Sequence, residues 1–377
     1  MKKTTILKGV IYISGFICLF GLLAIRYQPL YNIVLKEKTV PGYWDNNKYG
    51  ELYYFSNIKY FQEELPPVMP KFQFTDKNSS LEDALILTFG DSYMDFSHSV
   101  QLSSRINDSL NLPVFYEYET DPIKFLKTSN YKNNQPKILL YTRTERWIPV
   151  DFLEKPITES IYMDFSDKNT DNKNPSVVKS MLARTRDIVF NERTDELLKA
   201  MLQRSYIVSD INTYISTRQF DWFGYISSYT PKYSLEDKTP WLFNYDQLNE
   251  EMTSFYYQFS DEEIYKIAEN IRKTSDYLWN EHKLQLIFLP VPAKYTIYHH
   301  IVDPEADYNN FLPRLYDNLA SLNVDFINLY KPYMNAEEYV YYGTDDHWTE
   351  EGGRIAANEV VSKIMELDPR LRLKLAN

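Results

Sequence analysis

Ala84-Leu85-Ile86-Leu87-Thr88-Phe89-Gly90-Asp91-Ser92 is the stretch that decides the fold. Its first six residues form a short apolar run closed by glycine, the signature of a strand buried on both faces. Downstream, the pattern changes from strand to helix and back. A helical stretch is expected over Met94–Leu110, a second strand over Val114–Tyr118, a short helix over Ile123–Thr128 and a third strand over Ile138–Thr142. Ser260 and Glu263 make an S-x-x-E capping box at the head of a long helix, whose apolar side runs through Ile264, Ile267, Ile271 and Leu278. A fourth strand (Leu284–Leu289), a helix (Phe311–Leu322), a fifth strand (Val324–Leu329) and a closing helix (Glu350–Met365) complete the series. Alternation of this kind predicts an α/β fold, a parallel sheet with helices on both faces.

The chain has 377 residues, of which 44% are hydrophobic and 25% charged, a globular composition with enough apolar material for a sizeable core. Its length suits one large domain or two ordinary ones. With 41 basic and 52 acidic residues the net charge is -11, which argues against nucleic acid as a partner. A single cysteine excludes an intrachain disulfide and any cysteine-based zinc site. The five histidines include no H-x-x-x-H pair, so a histidine-rich metal site is not expected, and neither is a cofactor.

At the N-terminus, Lys2, Lys3 and Lys8 precede the uncharged run Gly9–Ile25. With Lys8 snorkelling to the interface, the apolar stretch starts at Ile6 and reaches about 20 residues, enough to span a bilayer as a helix. A cleaved signal peptide would have a shorter apolar core and a small-residue cleavage site, and Leu22-Leu23-Ala24-Ile25-Arg26 offers none. Residues 1–28 are therefore read as an uncleaved single-pass anchor. The lysines before it place the short N-terminus in the cytoplasm and the rest of the chain outside, in the periplasm or at the cell surface. Residues 29–80 read as a linker and irregular lead-in, and 81–377 as the α/β domain. An insertion over about 147–259, too long for an ordinary loop, is expected to form a cap over the sheet. It carries Trp222, Tyr225 and Trp241, which with Trp147 have the shape to stack on sugar rings, although in so aromatic a chain packing is the plainer role for each.

Open parallel sheets bind ligands at the carboxyl ends of their strands. Gly90-Asp91-Ser92 falls there, with a serine hydroxyl in position to act as a nucleophile; taken alone, a helix cap is its plainer reading. Thr344-Asp345-Asp346-His347-Trp348 falls at the same edge, before the last helix. A serine nucleophile needs a base and a carboxylate to orient that base. Asp345 and His347, two residues apart, can supply both from one turn.

Together these motifs resemble the SGNH hydrolase superfamily, with its flavodoxin-like sheet. The D-x-H-W form, followed by Thr349, Gly352, Ala356 and Ala357, is similar to the alginate O-acetyltransferase branch of the AlgJ/AlgX type. So are Pro292-Ala293-Lys294-Tyr295-Thr296-Ile297-Tyr298, read as P-x-K-x-x-x-Y, and the pair Glu145-Arg146. The resemblance implies Ser92 as nucleophile, His347 as base and Asp345 as its orienting carboxylate. In that branch D-x-H precedes the serine, whereas here it follows, as in ordinary SGNH enzymes and in the similarly anchored D-alanyl transfer protein of teichoic acid modification. The usual G-x-N-D block is replaced by Thr142-Arg143-Thr144-Glu145-Arg146, so Arg146 or Arg143 becomes the candidate for the second oxyanion donor. Lys294 is a candidate for substrate binding, with anchoring of a strand-end loop as its plainer role.

The expected function is a membrane-anchored O-acyltransferase, an O-acetyltransferase by the resemblance, that modifies an extracytoplasmic polysaccharide through a serine acyl-enzyme. Acetyl-CoA is absent outside the cell, so the resemblance implies an acyl donor supplied by a membrane-bound O-acyltransferase. The same triad would serve a carbohydrate esterase or deacetylase with water as acceptor. A non-catalytic scaffold of a glycan export complex would not need Ser92, Asp345 and His347 together.

Overall fold

The computed structural model describes residues 48–67, 80–94, 100–118, 121–132, 137–157, 205–236 and 238–367, with short fragments before residue 48 and Met201. In chain order the helices and strands are α1 (Glu51–Ser56), β1 (Ile86–Gly90), α2 (Leu102–Leu110), β2 (Val114–Tyr118), α3 (Pro122–Thr128), β3 (Lys137–Thr144) and α4 (Ile148–Phe152). They continue with α5 (Tyr206–Phe223), β4 (Lys232–Ser234), β5 (Trp241–Phe243), α6 (Asp261–His282), β6 (Leu284–Val291) and α7 (Lys294–Tyr298). The last three are α8 (Phe311–Ser321), α9 (Tyr330–Met334) and α10 (Glu350–Leu367).

The sheet is parallel with the order β2-β1-β3-β6. Every residue of β1 is buried, as are the last six of β3, so the centre of the sheet is covered on both faces. This is why those strands read as continuous apolar runs and not as alternating ones. Helix α6 lies against β6, α4 and α8, while α2 packs with α10. Its start is fixed locally: the Ser260 Oγ accepts from the Glu263 N–H at 3.2 Å, and the Glu263 carboxylate accepts from the Ser260 N–H at 2.8 Å. Lys283 in the left-handed conformation (φ 54°) ends the helix and turns the chain straight into β6.

β1 and β3 are neighbours, with β2 beyond β1 and β6 beyond β3, so the strand order reverses between them. Their carboxyl ends form the switch-point crevice of a doubly wound sheet. Gly90 lets the two strands close there, because a Cβ at this position would lie 2.9 Å from the Thr142 carbonyl oxygen.

Two expectations are corrected. Val324–Leu329 is not a full strand. It makes one parallel bridge, Phe288 to Phe326, through hydrogen bonds from the Phe288 N–H to Asp325 O and from the Ile327 N–H to Phe288 O. The helix expected from Met94 begins at Leu102; residues 91–94 are a turn, and 95–99 lie outside the described residues.

The chain divides into two compact units. One holds the sheet and comprises Tyr49–Ser56, Tyr60–Ile161 and Ser227–Asn377, so it takes in part of the stretch expected as a linker. It also takes in the end of the insertion, where Trp241 and Phe243 are buried side by side on β5. The other comprises Met1–Lys48, Asn57–Lys59 and Tyr162–Ile226. In it, α5 ends at Gly224 and leaves Trp222 and Tyr225 exposed. Among the described residues no helix is long and apolar enough to cross a membrane. The anchor expected over Ile6–Ile25 lies for the most part outside the described residues.

Candidate active site

Asp91 follows β1 directly and ties it to the end of β3. Its Oδ2 accepts from the Thr144 N–H at 3.0 Å and the Thr144 Oγ1 at 2.6 Å, and its Oδ1 accepts from the Tyr93 N–H at 3.3 Å. These bonds hold the 91–94 turn and leave the half-buried Ser92 side chain directed at His347.

The histidine is presented by a tight turn. Tyr341 and Trp348 form an antiparallel bridge, and the Thr349 N–H donates to Val340 O at 2.9 Å. Trp348 is buried edge-on against Tyr93, whose ring also lies 5.1 Å from the imidazole. Within this turn His347 Nε2 is 2.8 Å from Ser92 Oγ, and His347 Nδ1 is 2.7 Å from Asp345 Oδ1. Asp345 Oδ1 accepts the His347 backbone N–H as well, at 3.0 Å, and Asp345 Oδ2 accepts the Glu51 N–H at 2.8 Å. The structure thus brings Ser92, His347 and Asp345 into one hydrogen-bonded line at the carboxyl edge of the sheet.

Charge follows from this packing. Burial alone would raise the Asp345 carboxyl, but His347 and the two backbone N–H groups hold it below its usual range. Burial alone would lower the His347 imidazole; Asp345 first, then Glu51 and Asp346, outweigh it and push the pKa up to about 9.

A second layer holds the turn from behind, and the P-x-K-x-x-x-Y segment supplies it. Pro292 O accepts from the Tyr341 hydroxyl, and the Tyr298 hydroxyl accepts from the Val340 N–H at 2.9 Å. Lys294 is fully buried, and its ammonium donates to the carbonyls of Leu242 and Gly343 at 2.7 Å each and of Asp345 at 3.1 Å. Burial lowers its pKa to about 8. Lys294 therefore does not face a substrate, as its candidacy for binding required; with its donors taken by carbonyls it is a staple for the turn.

The other candidates separate. Arg143 donates to both oxygens of the Asp151 carboxylate, with Asp91 a more distant neighbour at 3.8 Å; this pair fixes the end of β3. Arg146 lies beside Asp346. Its Nη1 lies 3.9 Å from Asp346 Oδ2 and 4.0 Å from Asp246 Oδ2, and its guanidinium sits over the Trp147 ring. Its partner is not Glu145. Burial raises the Glu145 carboxyl, which accepts from the Ala293 N–H at 2.8 Å and the Tyr308 hydroxyl at 2.6 Å. Asp346, buried beside the triad, accepts from Asn244 Nδ2 at 3.1 Å. Trp241 is core, as packing predicts for so aromatic a chain.

Sequence reading missed Glu51 and Glu63. The first residues of α1 dock on the turn, with the Glu51 N–H on Asp345 and the Leu52 N–H on Thr344 O at 3.0 Å. Gly50 permits this approach, since a Cβ there would lie 2.0 Å from Thr344 O. The Glu63 carboxylate accepts from the Thr344 N–H at 2.7 Å and its hydroxyl at 2.9 Å. No signal in the lead-in announces these contacts. Glu51, Asp345 and His347 also form the one His/Asp/Glu cluster among the described residues compact enough to hold a metal ion. Its Asp–His bond is already made within the chain.

Comparison with known families finds a match over the C-terminal part of the chain. Residues 236–374 match the SGNH hydrolase-like domain of the acetyltransferase AlgX. The matched segment contains α6, β6, the Lys294 staple and the whole Thr344–Trp348 turn, and with the parallel sheet it makes this an SGNH-like α/β fold. Ser92 lies outside it, contributed by an earlier strand of the same sheet. Searches of curated proteins and of solved structures returned no significant match.

Proposed function

We propose that this chain is a membrane-anchored O-acyltransferase, with acetyl as the acyl group, that modifies an extracytoplasmic polysaccharide through an acyl-serine. The observation that carries the reading is the Ser92–His347–Asp345 line, assembled on a domain similar to that of an acetyltransferase. In the first half-reaction Ser92 Oγ attacks the donor's acyl carbonyl while His347 Nε2 takes the hydroxyl proton. The tetrahedral intermediate then collapses, the bond to the donor oxygen breaks, and His347 returns the proton to that oxygen. In the second, a sugar hydroxyl attacks the acyl-serine, gives its proton to His347, and leaves as the ester while Ser92 regains a proton. Asp345 holds the imidazole with Nδ1–H inward and offsets the charge it gains. Arg146, beside Asp346, is the donor we assign to the oxyanion; Arg143, committed to Asp151, shapes the strand end instead.

On this reading the donor acyl group arrives through a membrane-bound O-acyltransferase, and the Ile6–Ile25 segment anchors the chain in the cell membrane with the catalytic domain outside the cytoplasm. Ser92→Ala should abolish covalent labelling by a serine-reactive sulfonyl fluoride with the fold intact; full labelling of the variant would remove Ser92 as nucleophile. Wild type incubated with a small acetyl ester and an oligosaccharide should give acetylated sugar faster than free acetate. Acetate alone would make the chain an esterase. Protease added to intact spheroplasts should digest the chain beyond about Tyr27; full protection would reverse the topology.

A further inference from the structure

The triad is flanked by a second acid that the proton relay above does not use. Glu51, Asp345 and His347 each place a side-chain ligand atom within 4.8 Å of the others. That proximity is built in. Gly50 lets the chain press onto Thr344, the Glu51 and Leu52 N–H groups bond to the turn, and Glu63 grips Thr344 from a neighbouring segment. A carboxyl group has been carried to the triad by a segment 294 residues away in the chain from Asp345.

We infer that Glu51 is a positioning residue for His347: its carboxylate, within 4.8 Å of the ring, favours the imidazolium through its charge and so restrains Nε2 from taking the Ser92 proton. The inference rests on reading Ser92 and His347 as nucleophile and base. Two acids close together and away from water do not both ionise readily. Burial first, and then Asp345, push the Glu51 carboxyl up to about 7. When it does ionise, its charge favours the imidazolium. The charged and titratable groups around His347 are Asp345 and Asp346 from its own turn, Glu51 from α1 and Tyr93 after β1, while Arg146 after β3 acts on Glu51 and Tyr93. His347 and the hydrogen bonds hold Asp345 below its usual range, whereas Glu51 is pushed toward neutral pH. The pair then titrates as a unit, holding two protons in acid, one in between and none in alkali. Ionised Glu51 keeps His347 in the form that donates to a leaving oxygen and restrains the base form, so idle attack by Ser92 is suppressed at neutral pH.

Glu51→Gln tests this, because it keeps the backbone N–H on Asp345 and removes only the charge. In the full-length chain with isotopically labelled histidine, the His347 resonance is identified as the one missing from His347→Gln. Its titration midpoint should fall by about one pH unit or more in Glu51→Gln, the size expected for losing one carboxylate at this range. The rate of Ser92 sulfonylation against pH should move with it, so labelling at neutral pH speeds up. Glu51→Ala, which also keeps the backbone N–H, should give the same shift should the glutamine variant fold poorly. An unmoved His347 midpoint in a folded variant overturns the inference. Absence of labelling in wild type overturns the nucleophile reading instead, and the titration still decides the role of Glu51.

Discussion

Asp345 and Asp346 are adjacent, buried and acidic, yet the structure gives them unlike surroundings, and an amide at each position separates their roles. At 345 the carboxylate has three donors to satisfy. Oδ1 takes the His347 N–H and Nδ1–H, and Oδ2 takes the Glu51 N–H. An asparagine has one oxygen for them. If that oxygen faces His347, its NH₂ meets the Glu51 N–H, donor against donor. If it flips, the NH₂ meets the His347 backbone N–H and drives the imidazole to the tautomer with Nε2–H aimed at Ser92, which is useless as a base. In the serine-protease triad the same change of carboxylate to amide lowers turnover by a factor on the order of 10⁴. A comparable loss is expected for Asp345→Asn, together with about 1–3 kcal/mol of stability for the buried donor left unpaired. At 346 the side chain accepts one bond from Asn244, which an amide oxygen can keep, and the Tyr93 hydroxyl bonds to the Asp346 main-chain carbonyl. Losing the charge 3.9 Å from Arg146 should therefore cost less than about tenfold, the scale of one hydrogen bond. Hydrolysis of a small acetyl ester by the two purified variants and wild type, with circular dichroism to check folding, measures both. Equal losses, or a larger loss at Asp346, would refute the assignment of Asp345 as orienting acid.

Lys294→Met should lower the unfolding temperature by several degrees, because the buried carbonyls of Leu242 and Asp345 lose a donor at about 1–3 kcal/mol for each group left unsatisfied, while Gly343 O keeps the Leu242 N–H; unchanged thermal unfolding would contradict the staple role. Gly50→Ala forces α1 off Thr344, so ester hydrolysis should fall more steeply than stability, and a variant with wild-type turnover would show that the docking of α1 is dispensable. The pH dependence has a definite sign. His347 is raised from 6.5 to about 9 in the folded chain, so the stability it contributes, up to about 3 kcal/mol, is fully present below about pH 6.5 and lost as pH rises through 9. Thermal unfolding should show wild type losing stability over that window and His347→Gln losing less; parallel profiles would remove His347 as the cause.

What could be read along the chain is what neighbouring residues determine. Apolar runs such as ALILTF and LQLIFL name buried strands because a strand covered on both faces has nothing polar to show. The Ser260–Glu263 box starts α6 because its two hydrogen bonds close within one turn, and Asp345 can meet His347 because two residues of a tight turn put them side by side. The serine–histidine contact spans 255 residues, and it was legible only because a parallel sheet delivers the ends of separate strands to one edge. Burial and partner choice were not legible. Lys294 and Arg146 look alike in the sequence as cations near a strand end. Packing alone turns one inward onto three carbonyls and leaves the other facing Asp346. Val324–Leu329 has the pattern of a strand, yet only Phe326 bridges to β6. Glu51 stands in a stretch without periodicity, and nothing around it marks it out. Its place beside the triad arises from the fit of Gly50 on Thr344, a contact between distant segments that exists only once the chain has packed.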